Sequence, residues 1–145
     1  NIVSGVYMRR NNSRIKAMMV LYNYEITGEL IDIEYLNAII DADGAVPYDD
    51  DFFKELVAGV LENRDEINRV INLNIKNWSF SRLSAVDRVL IQIGVYEMLH
   101  TLTPKSIIIN EIINITHEYS DLGDKTSARF NNRLLDEIRK YIDGE

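Results

Sequence analysis

The 145-residue sequence contains no cysteine. That excludes a disulfide scaffold, thiolate zinc sites, iron–sulfur clusters and a cysteine nucleophile. Its two histidines, His100 and His117, are too few for a three-histidine metal centre. With two prolines and seven glycines it has no Gly- or Ser-rich tract, which argues against a disordered chain. No apolar run reaches the roughly 18–20 residues that a membrane helix needs. Residues 1–7 lack a basic region followed by a long apolar core, so no signal peptide is expected. Met8 reads as a natural start, with the residues before it an appended extension and residues 1–8 lying ahead of the helical domain of 9–145, and the expected compartment is the cytoplasm. There is no Gly-rich phosphate loop, nucleophile elbow or metal-binding helix motif. The acids at 41, 43 and 49–51 lack the alternating spacing and closing Glu of a hard-cation loop. No catalytic residue, metal or cofactor is expected.

What is present is a large apolar fraction, 46%, in a chain long enough to bury its own core. The net charge is −7, which on average opposes nucleic-acid binding, but the charge is unevenly placed. Residues 1–20 carry Arg9, Arg10, Arg14 and Lys16 and no acid. Residues 25–66 carry thirteen acids against Lys54 and Arg64, and residues 67–145 carry ten of each sign. A basic arm on an acidic body can mark a polyanion-binding end. Arginine suits that role because it bonds phosphate bidentately and stacks on bases.

Apolar spacing is helical almost throughout. Ser13 is placed to cap a first helix that runs to about Thr27, with Ala17, Val20, Leu21 and Tyr24 on one face and Gly28 ending it. A second helix is expected from Ile33 to Asp41, and the break at residues 43–47 separates it from a third. Asp49, Asp50 and Asp51 open that third helix, which carries Phe52, Phe53, Leu56, Val57, Val60 and Leu61. Ile67, Val70, Ile71 and Ile75 form a fourth amphipathic stretch. Ser84 and Asp87 resemble a capping box ahead of the most apolar segment, Val86 to Leu99, read as the central helix. Thr103 and Pro104 are placed as N-cap and first residue of the next. Its Ile107-Ile108-Ile109 run has strand propensity, but Ile108, Ile112, Ile115 and Tyr119 follow helical spacing. After a loop at residues 120–125 with Gly123, a last helix covers about Thr126 to Ile142. The expectation is an all-α fold of about seven helices.

Three stretches in register resemble the NusB transcription antitermination family. They are Val86-Asp87-Arg88-Val89-Leu90-Ile91-Gln92-Ile93-Gly94-Val95-Tyr96-Glu97 with Thr103-Pro104 and Ile109-Asn110-Glu111; the opening basic helix with Ala17, Leu21, Tyr22 and Glu25; and Phe130, Asn132, Leu135 and Asp136. The resemblance implies two small packed helical subdomains, roughly 9–77 and 78–145. It implies a non-enzymatic factor that pairs with the basic small-subunit ribosomal protein NusE. The pair would bind boxA-like RNA in nascent transcripts and act on the RNA polymerase elongation complex. By motif match, Arg9, Arg10, Arg14 and Lys16 fall on the family's basic arm. Tyr22, Tyr119, Ser127, Arg129 and Phe130 fall on positions lining its RNA surface. The apolar helix faces leave a homodimer open.

The chain departs from the pattern in several places. Asn11 and Asn12 thin the arm, Ile15 replaces an acid, and Gln92 replaces an arginine. The family's Phe-Val-Asn-Gly becomes Phe130-Asn131-Asn132-Arg133, which exchanges a glycine for a cation beside the expected RNA surface. Two other functions compete. One is a protein-interaction module of the same fold that has lost RNA binding. The other is a piece of an RNA cytosine methyltransferase, in which a similar helical domain precedes the catalytic part; the end at Glu145, with no methyl-donor domain, argues against it.

Overall fold

A computed structural model describes residues 2–40, 46–76, 79–120 and 126–145. Seven α-helices and one 3-10 turn, with no strand, are found among the described residues. They are α1 (Ile2–Thr27), α2 (Ile33–Ile40), α3 (Asp50–Glu62), α4 (Arg64–Asn74), a 3-10 turn (Phe80–Arg82), α5 (Ala85–His100), α6 (Lys105–Tyr119) and α7 (Thr126–Asp143). By packing, the chain forms two compact units, Asn1–Ala58 and Gly59–Glu145, so the division falls within α3. The expected division at 77/78, the Asp41 helix end, most of the 43–47 break and the loop with Gly123 lie outside the described residues.

In the first unit, α1 begins at Ile2 rather than at Ser13. The hydroxyl that reads as an N-cap signal sits instead in mid-helix. Ser13 Oγ reaches the Arg9 carbonyl at 3.0 Å and the Asp49 carbonyl at 2.7 Å, and accepts from the Asp49 N–H at 2.9 Å. Asn12 adds a bond from its amide to the Pro47 carbonyl at 2.8 Å. Residues 46–49 are thus held against α1, and Asp49 is set to start α3: its carboxylate accepts from the Phe52 N–H at 3.0 Å. Gly28 ends α1 at φ +77°, a left-handed conformation that costs glycine nothing, with its N–H bonded to the Tyr24 carbonyl at 2.7 Å. Ala17, Met18, Val20, Leu21, Leu36, Phe52, Phe53 and Leu56 are buried.

In the second unit, α5 packs against α4, α6 and α7, and α7 packs against α4 and α6. This explains why α5 is apolar nearly all round: Val89 to Met98 are buried with the sole exception of Gln92. Gln92 donates to Asn68 Oδ1 of α4 at 3.0 Å. Ser84 caps α5 as expected, accepting from the Asp87 N–H at 3.1 Å. At α6 the expectation shifts by one residue: Pro104, with ψ 134°, is the flanking residue, and the helix starts at Lys105 without a side-chain cap. Ile108, Ile112 and Ile115 face the core, which settles the isoleucine run as helix.

The start of α7 is fixed by a buried carboxylate. Asp87, 5% exposed, accepts from Ser84 Oγ at 3.0 Å, from Ser120 Oγ at 2.6 Å and from the Asn131 amide at 2.9 Å. A buried carboxylate persists where hydrogen bonds replace its lost hydration. Here those bonds tie α5, the end of α6 and α7 together.

Candidate nucleic-acid interface

The nine candidate residues divide between the two units: Arg9, Arg10, Arg14, Lys16 and Tyr22 lie on α1, and Tyr119, Ser127, Arg129 and Phe130 lie on α6 and α7.

The four arm cations are not equivalent. Arg9 is exposed. Arg10 is half-buried, its guanidinium 4.4 Å from the centroid of the Phe52 ring. Arg14 is 1% exposed and lies 5.3 Å from the same centroid. Lys16 is 2% exposed; its Nζ donates to Asn37 Oδ1 at 2.6 Å and sits 4.8 Å from the Tyr48 centroid. Aromatic faces attract such cations, and most strongly where water is excluded. In a one-dimensional charge pattern these residues read as one solvated patch. Helical phase separates them: positions 14 and 16–18 turn inward with Ala17 and Leu21, whereas position 9 faces solvent.

Tyr22 and Tyr119 are each 40% exposed. Burial of part of its ring, with the Glu118 carboxylate beside it, pushes the Tyr119 phenol above its usual range. It therefore remains a neutral donor at physiological pH. On α7, Ser127 and Phe130 are half-buried and Arg129 is exposed.

Arg129 and Phe130 point to different sides of α7. Arg129 borders an open cavity of about 310 Å³ with Asn110, Ile113, His117 and Asn132. Phe130 borders a second cavity of about 250 Å³ with Ile75, Lys76, Arg133, Leu134 and Glu137. Lys76, which follows the end of α4 and belongs to no periodic pattern, is a cation beside Phe130 that the sequence does not single out. His100, considered as a ligand or base, instead stacks on Tyr96 at 5.2 Å and meets Glu66 Oε1 at 2.6 Å. Among the described residues no group of three acidic or histidine side chains is placed to hold a metal ion. No described helix is long and apolar enough to cross a membrane.

The candidate residues are thus aromatic rings and cations on helices, the side-chain types that contacts to polyanions and unpaired bases require. A model described as the NusB family matches residues 11–140. The transcription antitermination protein NusB of Bacillus cereus (strain B4264) is 35% identical over 136 residues, which cover 93% of this chain and 100% of that protein. Among solved structures, T. maritima NusB aligns with a TM-score of 0.71 at 30% identity, over 90% of each chain. A chain from a complex of antitermination factors NusB and NusE with double-stranded RNA aligns with a TM-score of 0.70 at 24% identity, over 90% of this chain and 96% of that one, a likeness of fold. With the match running through α1 to α7 and spanning the whole length of the Bacillus protein, the chain belongs to the NusB family.

Proposed function

We propose that this chain is a cytoplasmic transcription antitermination factor that binds boxA-like RNA together with NusE and performs no chemistry of its own. The observation that carries the reading is the end-to-end match to NusB antitermination proteins. The placement of Arg9, Tyr22, Tyr119, Arg129 and Phe130 at or near the surface supports it, because phosphate contacts need accessible cations and base stacking needs accessible rings. Arg14 and Lys16 then act from inside, holding α1 against Tyr48, Phe52 and Asn37 rather than touching RNA. In this reading the protein acts on the elongation complex through the RNA and NusE. The test is a mobility shift with boxA-like RNA and cognate NusE, separately and mixed, at several salt concentrations. The mixture binds more tightly than either protein alone; no RNA binding by the mixture overturns the reading.

One observation favours a second reading. With Arg14 and Lys16 buried, the arm offers fewer cations than its sequence suggests. An interaction module that retains NusE without RNA would show a stable pair in a pull-down and no shift of RNA by that pair.

A further inference from the structure

The two oxygens of the Asp87 carboxylate serve different ends. Oδ2 accepts from Ser84 Oγ at 3.0 Å, which belongs to the cap of Asp87's own helix. Oδ1 accepts from Ser120 Oγ at 2.6 Å, at the end of α6, and from Asn131 Nδ2 at 2.9 Å, on α7. Ser120 directly follows Tyr119, and Asn131 directly follows Phe130. A single carboxylate oxygen therefore tethers the chain next to each of two aromatic residues that lie eleven positions apart.

This tether is not a favourable way to pack a helix. Asn131 is 0% exposed, and its Oδ1 has no hydrogen-bond partner among the described residues. A buried acceptor left unmade costs about 1–3 kcal/mol, and the Val or Ile of the family pattern would avoid that cost. Departures of this kind from packing rules collect at functional sites. Asp87 is 5% exposed, too buried to touch a partner itself. It stands on α5, which is packed against α4, α6 and α7 and so is a fixed reference within its unit. Bonds to an ionised acceptor are short and strong, and two of them refer α6 and α7 to that one point.

We propose that Asp87, acting through Ser120 and Asn131, is a positioning residue for RNA: it sets the separation at which Tyr119 and Phe130 present their rings to unpaired bases. This rests on the RNA-binding reading above. Successive bases stack on rings that match the spacing of the strand. A ring left free to shift loses affinity to the ordering it undergoes on binding. Asp87 contributes no contact of its own and no cation, so its effect falls on affinity and not on salt dependence.

The experiment sets RNA affinity against stability, using the full chain with NusE, a single-stranded boxA-like RNA oligonucleotide and a salt series, with a thermal melt of each variant. Ser120→Ala and Asn131→Val should each weaken RNA binding about tenfold, towards the low end of what one stacked base contributes. The salt slope should stay unchanged, because no cation is lost. Ser120→Thr keeps the hydroxyl and should bind as wild type does. Ile138→Val, buried elsewhere on α7, is the stability control: it should lower the melting midpoint and leave RNA affinity as it is. If wild type binds RNA while Ser120→Ala and Asn131→Val lose no more affinity than Ile138→Val, the positioning role is overturned and the RNA-binding reading stands. An equal loss in Ser120→Thr and Ser120→Ala overturns it too, since the hydroxyl would then have no part. If wild type with NusE binds no RNA, both readings are overturned.

Discussion

Arg14 shows how one residue's role depends on where its side chain ends. On sequence it is an arm cation like Arg9; in the fold it is 1% exposed and lies over Phe52. A desolvated cation over an aromatic ring contributes about 2 kcal/mol, and its aliphatic stem adds buried area. Arg14→Ala should therefore lower stability by about 2–3 kcal/mol, read as a shift of the urea midpoint. It should leave the salt slope of RNA binding nearly unchanged. Arg9→Ala should do the opposite, with stability unchanged and a slope lower by about 0.7. A slope that falls for Arg14→Ala at unaltered stability would place that guanidinium on RNA. Gly59 makes a related point about close approach: a Cβ there would meet the Tyr96 ring, so α3 reaches its neighbour only without a side chain.

At the scale of elements, the junction at Asp87 carries the most. Asp87→Ala removes the acceptor of the Asn131 amide, which is 0% exposed and has no access to water. Leaving a buried donor unmade costs about 1–3 kcal/mol beyond the bonds lost. Asn131 stands where the family pattern has Val or Ile, so a matched apolar replacement exists. Asp87→Ala should destabilise by about 3 kcal/mol, and Asp87→Ala with Asn131→Val by clearly less. A double-mutant cycle by urea denaturation should give a coupling of at least about 1 kcal/mol; additive losses would show that the bond is not shared.

The other end of α7 responds to pH. Asp143 accepts from Lys105 at 2.9 Å and also meets Arg139, and these partners hold its carboxyl below the usual range. A carboxyl whose folded pKa is depressed adds stability that is fully present above its unfolded pKa and is lost as pH falls through the folded one. The docking of α7 on Lys105 of α6 should weaken in acid, below the ordinary carboxylate range. Asp143→Asn should flatten that limb of a stability-against-pH curve by lowering neutral-pH stability towards the acid value, with stability in acid little changed. An unaltered acid limb would show that the pair is not formed in solution.

Helix existence was legible because burial imposes a 3.6-residue period on Ile, Leu and Val, and α5, wanted on several sides, stands out by its apolar width. Helix starts were less legible. A serine that caps and a serine that bonds a distant backbone look alike, as Ser13 shows. Tertiary partners decide between them. The same holds for the site: Phe130 and Arg129 were found by motif, whereas their different sides of α7, and Lys76 near Phe130, depend on packing that no linear pattern records.

At the scale of the whole molecule, a net charge of −7 and RNA binding are compatible because the two are felt at different ranges. At physiological salt the Debye length is about 8 Å, so a phosphate senses the charges beside it more than the summed charge of the chain; at the arm those neighbours include the backbone of Asp49, which is bonded to Ser13. What the body does cost is part of the long-range attraction that a basic protein would exert, so affinity for RNA by the chain alone should be modest. A basic partner that covers acidic surface changes this balance. Linkage then fixes a quantitative consequence: whatever factor NusE adds to RNA affinity, RNA must add to NusE affinity. Titrating RNA into the chain with and without saturating NusE, and NusE into the chain with and without saturating RNA, should yield one common factor of about 5–150, the usual span of such couplings. The factor should shrink as salt rises, since the charges that produce it are surface charges. A factor of one in both directions would mean that the two partners bind independently and that the acidic body has no part in RNA recognition.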